Sequence, residues 1–345
     1  MLRKPINNAQ ACITWLSYLG SQANGQGLVG KLTDEVINAA GIYEAQNTMV
    51  TYGAEAPLLG DPGIDLSVEY YAENFIEGNP LVNSATKEQG QLFYDYVQEL
   101  LTLAPGVIRS CCLYLEADTA SGDTAQTSCF VNMAGELIPK LLPGELARQG
   151  AEPLLEPVSR LLAKCKGNLG LWLVGFMKSR EATPVRLSLM EKADGKLLEG
   201  LKALFGARLP KDFAEKLQAL EDLGIFRFMV DVDVLPDGSL GDTIGLEFTT
   251  LKMMPAEQSL LMKEEPYQKM VALLKEWGVA DERLDCLPSC IWSGPAPDKF
   301  QAPYNMYSRL SHFKLRWRGE KMLPCKVYLQ LKCEPILENL NRYFM

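Results

Sequence analysis

The sequence holds a single histidine, His312, and fewer basic than acidic side chains: 34 Lys and Arg stand against 43 Asp and Glu, for a net charge of −9. That deficit excludes a general nucleic-acid binder, because phosphate affinity needs a surplus of Lys and Arg. No apolar run approaches eighteen residues, and Met1-Leu2-Arg3-Lys4-Pro5 leads into Asn7-Asn8 rather than an apolar segment. Neither a membrane span nor a secretory signal is expected, and a cytoplasmic location is. The nine cysteines lack a framework spacing and include the adjacent pair Cys111-Cys112, which fits thiols in a reducing compartment rather than a disulfide scaffold. A lone histidine with no nucleophile motif also gives no Ser-His-Asp triad.

What is present is a globular composition, 47% hydrophobic and 22% charged, in 345 residues, enough to bury a large core or enclose a cavity. Length alone suggests two domains, yet no Pro/Ser linker or charge block marks a boundary, so residues 1–345 are read as one domain. One pattern recurs five times: helical sequence, then two short runs rich in β-branched and aromatic residues. The first unit has helices over Ala9 to Tyr43 and a strand over Ile64 to Tyr71, with a partner expected near Phe75 to Val82. The second has a helix over Thr86 to Leu103 and strands over Val107 to Glu116 and Thr127 to Met133. The third has helices over Glu136 to Lys164, broken near Pro143-Gly144, and strands over Leu171 to Lys178 and Val185 to Met190. The fourth has helices over Lys196 to Leu223 and strands over Phe226 to Val234 and Thr243 to Thr249. The fifth has helices over Ala256 to Trp277 and near Asp281, then strands over Leu310 to Trp317 and Cys325 to Leu331.

Sequential strands joined by short turns pair antiparallel, and ten of them can close into one barrel with a helical outer layer, an α+β architecture. Alternation splits each strand into two faces. Phe226, Phe228, Val230, Val232 and Val234 oppose Arg227, Asp231 and Asp233. Leu66, Val68 and Tyr70 oppose Asp65, Ser67, Glu69 and Tyr71. Phe313, Leu315 and Trp317 oppose His312, Lys314 and Arg316, while Val327, Leu329 and Leu331 oppose Lys326, Tyr328 and Gln330. Val185, Leu187 and Leu189 oppose Arg186 and Ser188. An open sheet with one face in water would account for this alternation. Closure would instead turn the charged faces inward, around a polar ligand or water.

This order of elements resembles the aromatic prenyltransferases of the ABBA, or prenyltransferase-barrel, family. Pro62-Gly63-Ile64-Asp65-Leu66-Ser67 is similar to the first-strand motif of the indole (dimethylallyltryptophan-synthase-like) branch, although Asp65 stands where that branch usually has Glu. Lys326-Val327-Tyr328 is similar to its Lys-x-Tyr motif, and Lys314-Leu315-Arg316 to its Arg-x-Lys motif in reversed order. The resemblance implies a ten-stranded barrel in which an allylic diphosphate, dimethylallyl or geranyl, alkylates an aromatic, amino-acid or peptide acceptor. Ionising the donor leaves a departing polyanion, so catalysis needs preorganised positive charge. Lys314, Arg316, Lys326 and Arg186 are the candidates, followed by Arg227 and Arg109. Tyrosine π faces shield the carbocation, with Tyr328 first and Tyr114 and Tyr71 after it. Asp65 is the candidate to hold and deprotonate the acceptor. Glu69, Asp231, Asp233 and Glu247 are candidates to receive a cationic acceptor, or else to pair internally with the basic groups. No Asp-Asp-x-x-Asp motif is present, so Mg²⁺ is expected to be dispensable.

Other readings compete. Asp231-Val232-Asp233 suggests a glycosyltransferase, but no βαβ nucleotide pattern precedes it. Asp237-Gly238 reads as turn chemistry rather than a calcium loop. Cys286, Cys290, Cys325 and Cys333 are poorly spaced for zinc. A pentein-like guanidine-modifying enzyme would use His312, Cys333 and Asp231. A barrel carrier of a small anionic amphiphile would use the same basic face without turnover.

Overall fold

The computed structural model describes residues 8–21, 28, 34–43, 50–61, 63–117, 128–133, 135–165, 167–180, 182, 184–225, 228–249, 255–295 and 304–335. In chain order the strands are β1 (Thr51–Pro57), β2 (Asp65–Tyr71), β3 (Cys112–Ala117), β4 (Ser128–Asn132), β5 (Leu169–Phe176), β6 (Val185–Glu191), β7 (Phe228–Val234), β8 (Leu240–Phe248), β9 (Trp292–Pro295), β10 (Tyr304–Arg318) and β11 (Lys321–Pro335). The helices are α1 (Asn8–Ser21), α2 (Asp34–Ile42), α3 (Ser84–Leu103), α4 (Ile138–Arg148), α5 (Leu155–Cys165), α6 (Leu197–Phe205), α7 (Phe213–Glu221), α8 (Pro255–Leu261) and α9 (Glu265–Glu276).

Each of β1 to β8 pairs antiparallel with the next, β8 pairs with β10, β10 with β11, and β11 returns to β1. The result is a closed ten-stranded barrel, and closure satisfies the edges that an open sheet would expose. β9 is an additional strand on β10: residues 305–308 of β10 face β9, while residues 313–318 face β8.

The period-2 alternation decides what lies on each side. On β2, Leu66, Val68 and Tyr70 are fully buried beneath the helices, whereas Asp65, Ser67, Glu69 and Tyr71 keep partial access on the inner side. Val230, Val232, Leu246, Leu315, Val327 and Leu329 join the same outer core, which the helices cover. The burial of about ten such strand side chains, each worth roughly 1.5–3 kcal/mol, fixes the register, because a one-residue slip would turn them into the lumen. Trp317 belongs to this core: its ring packs 4.9 Å from that of Phe213, and its indole N–H donates to Asp212.

Several local expectations are corrected. The partner of β2 in the first unit is β1, which precedes it; residues 72–75 form a 3₁₀ turn instead. Pro105-Gly106 starts a 3₁₀ helix, Pro105–Ser110, so strand β3 begins only at Cys112. Pro143 lies inside α4, and the chain breaks after it at Gly150, whose φ of 70° ends the helix. Both β10 and β11 are longer than the alternation indicated. Among the described residues, no helix is long and apolar enough to cross a membrane.

Candidate active site in the barrel lumen

Side chains directly opposite each other across paired strands share a face, so the register assembles the site. One row runs His312, Tyr328, Glu55, Asp65 across β10, β11, β1 and β2. A second runs Glu69, Tyr114, Phe130, Gly175, Arg186, Asp233 across β2 to β7. A third runs Arg316, Gly245, Asp231, Ser188 across β10, β8, β7 and β6, with Lys314 beside Glu247 next to it. The structure thus brings Asp65, Glu69, Tyr71, Tyr114, Arg186, Asp231, Asp233, Glu247, Lys314, Arg316, Lys326 and Tyr328 to one lumen.

The charges within it are largely matched. Lys314 donates to Asp231 and, at 3.0 Å, to Glu247 Oε1; all three side chains are less than a tenth exposed. Ser188 Oγ donates to the other Asp231 oxygen at 2.6 Å. Arg186 forms a two-pronged pair with Asp233, Nε to Oδ1 at 2.8 Å and Nη2 to Oδ2 at 3.1 Å, and Arg180 adds a third bond at 2.9 Å. Lys326 pairs with Glu55 and, at 3.3 Å, with Asp65. Of the four principal cations, Arg316 alone has no carboxylate partner among the described residues: its Nη2 donates to the Pro324 carbonyl at 3.2 Å, and its buried Nε makes no hydrogen bond to any of them.

Burial and pairing set the protonation states. Burial would lower the Lys314 ammonium, but Asp231 and Glu247 hold it above its ordinary value. Burial would raise Asp231, yet Lys314 and Arg186 keep it well below the usual carboxylate range. Glu247 is pushed up to about 7 by burial, with Lys314 pulling against the rise. Burial lowers Lys326 to about 8. Burial and the adjacent Lys314 pull the His312 imidazole down to about 3, so it is neutral. Burial, reinforced by nearby carboxylates, drives the Tyr328 and Tyr114 phenols upward, leaving both as hydroxyl donors. Tyr114 donates to Glu69 at 3.0 Å, and the Tyr71 hydroxyl bonds Thr51 at 3.0 Å. The Tyr328 ring stacks on His312 with centroids 4.1 Å apart.

One expected residue is not found in this constellation. Arg109 lies on the 3₁₀ helix, not on a strand; its side chain is 89% exposed and pairs with Glu73 at 3.0 Å. Arg227 lies outside the described residues. The internal pairing of Asp231, Asp233 and Glu247 is the arrangement present, so receiving a cationic acceptor would require them to exchange partners. Cys333 packs on the helix side of β11, facing away from the lumen that holds His312, which removes the guanidine-modifying geometry. Among the described residues, no group of three or more His, Cys, Asp or Glu side chains is arranged to hold a metal ion.

Glu55, Arg180, Ser188 and Gly245 were not anticipated. Glu55 sits on a strand rich in Gly, Ala and Pro, and Arg180 follows β5 in a turn. Ser188 was placed on the polar face but given no role. Gly245 matters through what it lacks, since a Cβ there would come within 2.6 Å of Lys314 Cε.

A closed ten-stranded antiparallel barrel with a charged lumen and a helical outer layer is the prenyltransferase-barrel, or ABBA, fold. Solved structures share it, among them the apo form of the prenyltransferase PriB, with a TM-score of 0.51 at 13% identity over 94% of this chain and 95% of that one. Another is AnaPT from Neosartorya fischeri, with a TM-score of 0.53 at 8% identity over 96% and 94%. No protein-family model matches the sequence, and no curated protein does.

Proposed function

We propose that the chain is a prenyltransferase of one barrel domain, residues 1–345, acting in the cytoplasm without a required metal. It transfers a dimethylallyl or geranyl group from the diphosphate to an aromatic, amino-acid or peptide acceptor held in the lumen. The observation that carries this reading is Arg316. It is a lumen-facing guanidinium whose Nε has no hydrogen bond and which carries no carboxylate among the described residues, with Lys314 on the same strand, Lys326 on neighbouring β11 and Arg186 on β6. An oligoanion is the ligand that such a group lacks, and guanidinium geometry suits phosphate oxygens.

In this reading Arg316 seats the diphosphate first. Its arrival draws Lys314, Lys326 and Arg186 partly away from their carboxylates toward the departing charge. Tyr328 then covers the allylic cation with its π face and excludes water, with Tyr114 and Tyr71 on the acceptor's side. Asp65, reached from β2, orients the acceptor together with Glu69. The Pro-x-x-Asp-x-Ser sequence, whose Asp65 and Ser67 lie on β2, favours the indole branch of the fold, although Asp65 is one methylene shorter than the Glu usual there.

The test is mass spectrometry of purified protein incubated with dimethylallyl and geranyl diphosphates and a pool of tryptophan, tyrosine, arginine and short peptides, with and without EDTA. A product heavier by one prenyl unit that survives EDTA is expected. Donor binding without any product would turn the reading toward a carrier of anionic amphiphiles, and the absence of both would overturn it.

A further inference from the structure

Alkylation at an aromatic carbon leaves a protonated ring that must lose its proton to a group with a free electron pair at the lumen. Asp65 and Glu55 hold Lys326, Asp231 holds Lys314 and accepts from Ser188, and Asp233 is taken by Arg186 and Arg180. Glu69 accepts the Tyr114 hydroxyl. These carboxylates, and Glu116 on β3, keep lone pairs of their own, but His312 is the nitrogen base among them: its Nδ1 bonds Ser311 Oγ at 3.0 Å, whereas its Nε2 is buried, makes no hydrogen bond among the described residues, and lies 3.4 Å from Glu247 Oε2. The ring is held in place by its stack on Tyr328, the residue assigned to cover the allylic cation.

We propose that His312 is the proton acceptor of the reaction, with Glu247 receiving the proton from it. The inference rests on the prenyltransferase reading and deepens it. With Nδ1–H donating to Ser311 Oγ, Nε2 carries the lone pair. The C1–O bond of the donor breaks with its electrons on the diphosphate, and C1 bonds the acceptor ring carbon. The ring C–H pair then returns to the ring as the proton moves to Nε2. The imidazolium so formed lies beside the Glu247 carboxylate, which takes the proton on and releases it to solvent.

The groups facing His312 suit this use. Burial first, and then Lys314 on the same strand, disfavour the imidazolium in the resting enzyme and so keep the lone pair available, Asp231 opposes that effect, and Tyr328 on β11 contributes a neutral phenol. A weak base suffices, because a protonated aromatic ring is a strong acid. Glu247, near 7, then holds the proton at neutral pH far better than the imidazole does. Asp65 keeps a separate task, orienting the acceptor.

The test compares wild type, His312→Gln and Glu247→Gln with dimethylallyl diphosphate and equal mixtures of protio and ring-deuterated tryptophan and tyrosine. In His312→Gln, kcat is expected to fall about 100-fold, within the range for loss of a positioned base. KM for the diphosphate should stay within about threefold. The product should also derive preferentially from the protio acceptor, a preference absent from wild type, because C–H cleavage has become slow. Glu247→Gln should show the same preference with a smaller loss of kcat, and it provides the reading if the histidine variant does not fold. Variants that keep wild-type kcat and show no isotope preference overturn the role of His312 while leaving the transferase reading intact. A wild-type product that retains all its ring deuterium also overturns it. No wild-type product from any donor overturns both.

Discussion

Lys314 reaches Asp231 across the bare backbone of Gly245: a Cβ on that glycine would stand 2.6 Å from Lys314 Cε and 3.3 Å from Asp231 Cβ. The glycine on β8 is therefore what lets a cation from β10 pair with a carboxylate on β7, two strands away.

Gly245→Val should displace the ammonium from Asp231. Overpacking of this kind costs about 1–3 kcal/mol, measurable as a lower urea midpoint. Loss of donor affinity should accompany it, read by a thermal-shift titration with dimethylallyl diphosphate. A variant with wild-type stability and wild-type donor affinity would show that Lys314 has another route to Asp231.

Removing Lys314 should be worse than crowding it. Lys314→Met leaves Asp231 and Glu247 buried without their cation, a loss of about 3–5 kcal/mol in unfolding free energy. Adding Glu247→Gln should return part of that loss, since one uncompensated charge is removed. Urea unfolding of the single and double variants checks the sign of the coupling.

Arg316 and Arg109 should behave oppositely. Arg316→Gln is expected to weaken dimethylallyl diphosphate binding roughly 10- to 100-fold, the worth of a charge-assisted contact of about 1.5–3 kcal/mol. Arg109→Ala, which removes only a solvent-exposed pair with Glu73, should leave donor binding and melting temperature unchanged. Isothermal titration of both variants decides the matter.

His312 and Glu247 should give opposite pH dependences of stability. The imidazole is lowered to about 3, so its contribution is complete above about 6.5 and is lost as pH falls through the acid range. Glu247 is raised to about 7, so its contribution is complete below about 4.5 and is lost as pH rises through 7. Wild type is thus expected to change little through these two groups between pH 5 and 6.5. His312→Gln should gain relative to wild type as pH falls, with a slope no steeper than about 1.4 kcal/mol per pH unit. Melting temperatures at pH 7 and pH 5 give the comparison.

The barrel was legible where local propensity and tertiary role agree. Phe228-Met229-Val230-Asp231-Val232-Asp233-Val234 alternates β-branched and charged residues, and it is a strand with the expected faces. β1 was not legible, because Gly53, Ala54, Ala56 and Pro57 have little intrinsic preference for a strand. That segment is extended because β2 and β11 flank it on both sides. Arg109 was misplaced for the converse reason: Val107 and Ile108 continue the apolar pattern of β3, while Pro105-Gly106 dictate a turn. The lumen residues could be named from alternation, but not their partners. Whether Asp233 meets Arg186 or an acceptor depends on register between strands and on the small residues between them, which alternation within one strand does not encode.

The joining of β11 to β1 has a consequence for the order in which the protein is made. Tyr52 faces Leu331 and Ala54 faces Leu329, so the ring cannot shut until nearly the whole chain has been synthesised. Until then the hydrogen-bonding edge of β1 stands open, and pairings between such distant segments form slowly. A nascent chain waiting in that condition is exposed to strand addition by its neighbours. Production at low temperature, or with a chaperone holding the early strands, should therefore raise the yield of closed barrels more than it raises total synthesis.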